Sequence, residues 1–339
     1  MQRTAWLAAA CFLLAGAAGP VQGQTRAEAA PPADSPAGRL AAMEAQSLPW
    51  QGGRNNGAAE QGFVFTVPPV DALADFHGST NDPALVLYAS GNYYFAMGPL
   101  VAAFGNAYPR YRNKVYFETL PPGLLLKQIA AGGMVTVGNM SWTVKPDVLL
   151  AELGASQRLE RDGKLTGDIV AFATNDLTIM VPAGNPGHVA SLADLARPDL
   201  AVSMPNPQFE GVAQQIRASL AKAGGEQLAD AVYSAKVRTG MTVLTRIHHR
   251  QTPLLMMQGL VQAGVTWTSE AIFQEQAGHP ISHVAIPAAQ NTRAIYSAAE
   301  LPGAPHPEAA RDWLKFIRSD AAFAILARYG FQRYAGAGQ

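Results

Sequence analysis

The chain has 339 residues, with 25 basic and 25 acidic side chains and a formal net charge of zero. That length is enough for one large domain or two medium domains with their own cores. The balanced charge argues against a nucleic-acid partner and against binding to an anionic membrane surface.

The N-terminus has the pattern of a secretory signal peptide. The apolar run that follows Arg3 is too short to span a bilayer. Small residues and a cleavage-type sequence around Gly23 come next, so we predict a signal peptide over 1–23 and a periplasmic mature protein. Cys11 is the only cysteine, so the cleaved chain has no disulfide. Lipid attachment there is the weaker alternative, because Ala8 stands where such motifs usually have leucine.

The next segment is rich in Ala, Pro, Gly and polar residues. Such a composition buries too little apolar area to offset the entropy lost on ordering. We therefore predict a flexible leader over 24–82, with a short helix near 38–46.

From Pro83 onward, strand-like and helix-like patterns alternate. Strands are predicted at 84–90, 113–119, 133–139, 177–183, 199–205, 263–269, 282–287 and 293–301. Helices are predicted at 95–108, 123–132, 191–196, 210–225, 241–249, 253–262, 307–319 and 321–330. This alternation predicts an α/β fold with parallel sheets covered by helices, in which ligands bind beyond the carboxyl ends of the strands.

Four stretches, in order along the chain, carry a family resemblance: LYASGN (87–92), KQIAAG (127–132), LAVSMPNPQFEGVAQQI (200–216) and QAGVTWTSEA (262–271). They resemble the bacterial periplasmic solute-binding proteins of ABC importers, of the molybdate-binding type. The resemblance implies the type 2 periplasmic binding protein fold, with two α/β lobes, each a mainly parallel sheet flanked by helices, and a ligand cleft between them.

The same resemblance implies the domain boundaries. Lobe one would contain 83–174 plus 287–331 and lobe two 175–286, followed by a tail over 332–339. Two crossover strands, near 172–176 and 284–290, would join the lobes.

The resemblance also implies an oxyanion site made of hydroxyls and of backbone N–H groups at helix starts, which carry partial positive charge. In the first loop, Ser90 matches the family's serine; Gly91 allows close approach of a ligand, and Asn92 caps or donates. Ser90 as a simple helix cap is the alternative.

The second loop departs from the family pattern, because Pro121 and Pro122 offer neither N–H nor hydroxyl. Thr119 or the Gly123 N–H would have to substitute. Glu118 would repel an anion if it faced the cleft.

In the third loop, Asn206 and the N–H groups near Gly211 are predicted to face the cleft, with Glu210 either there or as a cap of the first helical turn. In the fourth loop, Trp267 stands where the family usually has tyrosine, and Thr268 and Ser269 add hydroxyls.

The stretch TRIHHRQTP (245–253) concentrates positive charge. We predict ligand contact for Arg250, whose guanidinium suits a carboxylate; a solvated helix end is the alternative. Two adjacent histidines do not face one way on a helix, so no metal and no cofactor are predicted.

Catalytic motifs are missing from the sequence: it has neither a G-x-S-x-G elbow nor a P-loop. The carboxylates of Asp147 and Glu152 are interpreted as helix surface. We therefore predict a monomeric, non-enzymatic protein that binds a small anionic or polar solute and passes it to an ABC permease. A molybdate or tungstate receptor, a ligand-binding sensor and a secreted hydrolase using the same cleft are the alternatives.

Overall fold

The computed structural model describes residues 30–45, 75–137, 140–208, 210–245 and 248–336. The predicted signal peptide lies outside this range. None of the helices in the described part of the chain is long and apolar enough to cross a membrane.

Ten α-helices are defined within these residues: α1 (Pro36–Ala45), α2 (Tyr94–Ala107), α3 (Pro122–Ala130), α4 (Leu153–Arg161), α5 (Val212–Asp230), α6 (Lys236–Arg238), α7 (Gln251–Met257), α8 (Thr268–Gln276), α9 (Pro307–Phe316) and α10 (Asp320–Ala327). The strands of the same residues are β1 (Phe76–His77), β2 (Leu85–Ser90), β3 (Val115–Leu120), β4 (Met134–Val137), β5 (Met140–Thr143), β6 (Val148–Glu152), β7 (Thr166–Pro182), β8 (Val202–Met204), β9 (Thr242–Leu244), β10 (Ala263–Trp267), β11 (Ile281–Ala285), β12 (Arg293–Glu300) and β13 (Gln332–Arg333).

The main sheet has the order β1-β3-β2-β6-β12-β7-β10-β8-β9, with β11 and β13 also paired to β7. Strands β3, β2 and β6 run parallel to one another, as do β10, β8 and β9. All six side chains of β2 are buried, as expected for a parallel strand covered on both faces. The predicted α/β class with helix-covered parallel strands is confirmed.

The long strand β7 links the two halves of the sheet. Its residues up to Asp176 pair with β12, and from Leu177 onward it pairs with β10. This change of partner falls at the end of the predicted first crossover; the lobe boundaries themselves stay a prediction.

One predicted helix is wrong. The stretch 241–249 contains strand β9, which pairs in parallel with β8. Thr242 and Val243 are buried there, and β-branched side chains fit a covered strand better than a helix.

The predicted leader contains two elements among its described residues. Helix α1 buries Leu40 in a small core with Val243 of β9, and β1 pairs with β3 at the opposite edge of the sheet. These parts are packed against the folded chain, and the segment 46–74 lies outside the described residues.

Candidate functional site

A cavity of about 530 Å³ lies where several strands end and helices begin. Strands β2, β3, β6 and β10 reach it with their carboxyl ends, the position where open α/β sheets bind ligands. Its lining residues are Ser90, Gly91, Asn92, Pro121, Pro122, Gly123, Glu152, Ala155, Arg158, Glu210, Gly211, Val212, Gln214, Gln215, His248, His249, Trp267, Ala294 and Tyr296. We call the lining residues between 90 and 158 the first wall and those between 210 and 267 the second wall.

The first wall begins with the turn after β2. The Ser90 hydroxyl donates to the Leu150 carbonyl at 3.1 Å, and the Asn92 amide donates to the Tyr296 hydroxyl at 2.5 Å. Gly91 lies against His248, because a Cβ on this glycine would come 3.0 Å from the imidazole Nδ1. All three predicted residues of this loop line the cavity, and the alternative of Ser90 as a side-chain helix cap finds no such bond.

The second loop of the first wall is the one with prolines. Pro121 and Pro122 both line the cavity, and α3 starts at Pro122. Proline removes N–H groups that a helix start would otherwise present, so Gly123 supplies the first backbone donor there. A Cβ at Gly123 would meet no atom within 4 Å, which shows open space on that side.

Two residues predicted near this loop point elsewhere. Thr119 is fully buried, and its backbone N–H donates to the Asp75 carbonyl at 3.0 Å rather than toward the cavity. Glu118 is bound by Tyr116 and Gln128 in the interior, where burial raises the pKa of Glu118 to about 8. Thr119 as a ligand contact is therefore not supported by its placement.

Glu152 ends β6 and lines the cavity. Its two carboxylate oxygens accept from the Gly154 and Ala155 N–H groups at 3.1 and 3.2 Å, so this side chain caps α4. The interpretation of Glu152 as helix surface is wrong. The start of α4 is occupied by the protein's own carboxylate, and Arg158 of the same helix also lines the cavity.

The second wall is organised around His249. Its Nδ1 lies 2.8 Å from Glu210 and its Nε2 lies 2.8 Å from Glu270, with only 11% of the histidine side chain exposed. Burial by itself lowers the pKa of His249, but attraction to Glu270 and the hydrogen bonds to both carboxylates outweigh it and raise the pKa to about 10. The ring is then cationic at neutral pH, and two carboxylates share one imidazolium.

Further hydroxyls complete this network. Thr245 donates to Glu210, and Thr266 donates to Glu270. Glu210 also accepts the Asn206 N–H at 3.1 Å, in the loop before α5, and the start of α5 at Gly211 has no side-chain cap, so the predicted capping role of Glu210 is wrong. We call Glu210, His249 and Glu270 the carboxylate–imidazolium bridge.

Arg250 was predicted to contact the ligand, but it is not among the cavity-lining residues. Its guanidinium is buried and pairs with Asp75, a residue of the segment before β2. It also contacts His248, which lines the cavity in its place. A buried guanidinium needs a carboxylate partner, and Asp75 provides it.

The remaining predicted residues are used inside the fold. The Thr268 hydroxyl donates to the Asp176 carbonyl at 2.9 Å, and Ser269 accepts from Asn175 at 2.6 Å. Asn206 caps the Gln208 N–H at 2.9 Å. None of Asn206, Thr268 and Ser269 lines the cavity, since each follows a strand end but turns its polar group into the chain.

The structure thus brings together seven of the predicted site residues: Ser90, Gly91, Asn92, Gly123, Glu210, Gly211 and Trp267. The prediction missed Glu152, His248, His249 and Tyr296. Glu152 ends β6, and His248 and His249 follow β9, but neither of these strands is among the predicted ones. Across the described part of the chain, no group of three or more His, Cys, Asp or Glu residues is arranged to hold a metal ion.

This chain belongs to the family of bacterial extracellular solute-binding proteins, whose profile matches residues 85–332. The molybdate-binding protein ModA of Mycobacterium bovis is 25% identical over 218 residues, which cover 64% of this chain and 77% of that protein.

Two solved structures show the same fold. The sulfate-binding protein SubI from Mycobacterium tuberculosis H37Rv has a TM-score of 0.60 at 22% identity, covering 75% of this chain and 87% of SubI. The periplasmic molybdate-binding protein of Azotobacter vinelandii has a TM-score of 0.57 at 17% identity, covering 73% and 98% of the two chains. The predicted resemblance and the type 2 periplasmic binding protein fold are confirmed, and the protein is a solute-binding protein of this extracellular class.

Proposed function

We propose that the cavity binds a small organic anion that also carries at least one hydrogen-bond donor, and that the protein delivers it to the permease of an ABC importer. The proposal rests on one observation: two carboxylates, Glu152 and Glu210, line a cavity into which helices begin.

Helix starts supply the attraction for an anion. The first turns of α3 and α5 lie at the cavity with Gly123 and Gly211, and such turns present N–H groups without intrahelical partners. The cationic His249 adds positive charge on the second wall, and the guanidinium of Arg158 adds it on the first. Relatives named for molybdate and for sulfate agree with an anionic solute.

The two carboxylates restrict which anion fits. Each oxygen of Glu152 already accepts one N–H, and its remaining lone pairs accept hydrogen only. A bare dianion has no hydrogen to offer these oxygens, whereas a hydroxyl, an ammonium or a protonated acid group would bind them.

Size and wall composition favour an organic solute. About 530 Å³ falls in the range of small-molecule sites, and a five-atom oxyanion would fill little of it. Pro121, Trp267 and Tyr296 supply apolar wall. Two donors lost relative to an oxyanion cage, at about 1.5–3 kcal/mol each, would weaken molybdate binding by about two to four decades.

Native mass spectrometry of gently purified protein tests the proposal. We expect one bound organic anion per chain, lost on mild activation, and no chemical conversion of that solute during incubation. A co-purified oxyanion of molybdenum or sulfur, or multiple turnover of the solute, would contradict the proposal. Export and processing near Gly23 are checked separately, by N-terminal sequencing of periplasmic protein.

A further inference from the structure

The segment before residue 85 lies outside the span matched by the family, but its Asp75 pairs with Arg250, which contacts the cavity-lining His248. Asp75, which directly precedes β1, is only 1% exposed. Its carbonyl accepts the Thr119 N–H at 3.0 Å, and β1 pairs with β3, so the position of this carboxylate is fixed by the sheet.

Asp75 binds Arg250 in the interior. The two side chains form an ion pair with 0% and 1% of their surfaces exposed. The guanidinium also lies over the ring of Tyr94, 4.9 Å from its centroid, and 3.4 Å from the Thr119 carbonyl. The carboxylate, the ring and the carbonyl therefore hold the guanidinium in one orientation.

Arg250 in turn contacts His248. A guanidinium nitrogen lies 2.7 Å from the imidazole Nε2, closer than the nearest carboxylate oxygen of Asp75, which lies 3.6 Å from the same atom. Arginine has donors only, so Nε2 must accept, and the proton of a neutral ring then sits on Nδ1. Nδ1 is the atom beside Gly91, and both His248 and Gly91 line the cavity.

We infer that Asp75 is a positioning residue of the solute cavity: through Arg250 it fixes the tautomer and orientation of His248, so that the Nδ1–H lies on the Gly91 side. The segment preceding the family-matched span is then a working part of the binding site. Arg250 acts on the solute through His248 rather than by direct contact.

The tautomer of His248 is measurable without any solute. Long-range proton–nitrogen correlation spectra of the full chain, carrying isotope-labelled histidine, distinguish the two tautomers. The His248 signals are assigned by their loss in His248→Asn. We expect the Nδ1–H tautomer in the unmodified protein.

Arg250→Met removes the donor and should convert His248 mainly to the Nε2–H tautomer. Asp75→Ala leaves the donor in place but removes the carboxylate that orients it, so we expect a smaller shift toward the Nε2–H tautomer. Arg250→Lys keeps a donor and should restore the Nδ1–H form. Asp320→Asn breaks an exposed ion pair with Arg333 outside the cavity lining and should leave the His248 signals unchanged.

An Nε2–H tautomer in the unmodified protein would overturn the inference even if a variant fails to fold. So would an unchanged Nδ1–H tautomer in folded Arg250→Met. Either result leaves the identity of the solute untouched, so this inference and the proposed function fail independently.

Discussion

The first wall of the cavity offers backbone groups and the side chains of Glu152 and Arg158, whereas in the second wall Glu210 and His249 are bound to each other in a nearly buried network. On the first wall, Gly91 and Gly123 have no side chain that could carry charge. On the second wall, the carboxylate–imidazolium bridge exists only while His249 is protonated. We therefore expect substitutions in the first wall to act through steric contacts and substitutions in the second wall to act through charge.

Removing His249, at the centre of the carboxylate–imidazolium bridge, should cause the largest loss of stability. His249→Ala leaves Glu210 and Glu270 facing each other without the cation between them, and removing one partner of a buried charge network costs about 3–5 kcal/mol. Urea denaturation should show that loss in the free energy of unfolding. Asp320→Asn, at an exposed pair, should change it by less than about 1 kcal/mol. Equal effects of the two variants would contradict the importance of the bridge.

The free energy of unfolding should depend on pH through the titration of the same histidine. The pKa of His249 rises from its usual 6.5 to about 10 on folding, so its contribution is fully present below pH 6.5 and is lost as pH rises toward 10. Within that window, unfolding free energy should fall by up to about 1.4 kcal/mol per pH unit.

His249→Gln is the control for this slope, because it lacks the titrating group. Glu118 and Lys236 also have shifted pKa values, both near 8, so only the difference between the two proteins isolates the histidine. A difference that does not change with pH would mean that His249 is neutral in the folded protein.

In the first wall, stability should depend on steric contacts. Gly91→Ala places a Cβ 3.0 Å from His248, and overpacking of this kind typically costs about 1–3 kcal/mol. Gly123→Ala is the matched control, since its Cβ would meet no atom within 4 Å. In thermal unfolding, we expect a lower melting temperature for Gly91→Ala than for Gly123→Ala. Similar melting temperatures would show that the His248 side chain moves aside at little cost.

The sequence was sufficient for the fold and for half of the site. The family resemblance placed Ser90, Glu210 and Trp267 in loops at strand ends, and parallel strands bring their carboxyl ends to one edge. The sequence did not predict the buried position of Arg250, because its partner Asp75 is distant in sequence and lies in a segment whose composition predicts disorder.

Glu152 shows a second limit of prediction from the sequence. It follows a buried apolar run, so its place at a strand end was readable, but its contact with the cavity depends on how the α4 start turns. The stretch 241–249 was misassigned because its helix-like polarity concealed a three-residue strand that pairs only with distant β8.

Exclusion of a bare dianion is the central claim, and titration calorimetry with molybdate on the unmodified protein and on Glu152→Gln tests it most directly. Glutamine keeps one acceptor for the α4 start and adds a donor toward the cavity, so the variant should stay folded. We predict no submicromolar affinity for molybdate in the unmodified protein and at least about tenfold tighter binding in Glu152→Gln. Submicromolar molybdate binding to the unmodified protein, abolished by Ser90→Ala and not improved by Glu152→Gln, would contradict the account.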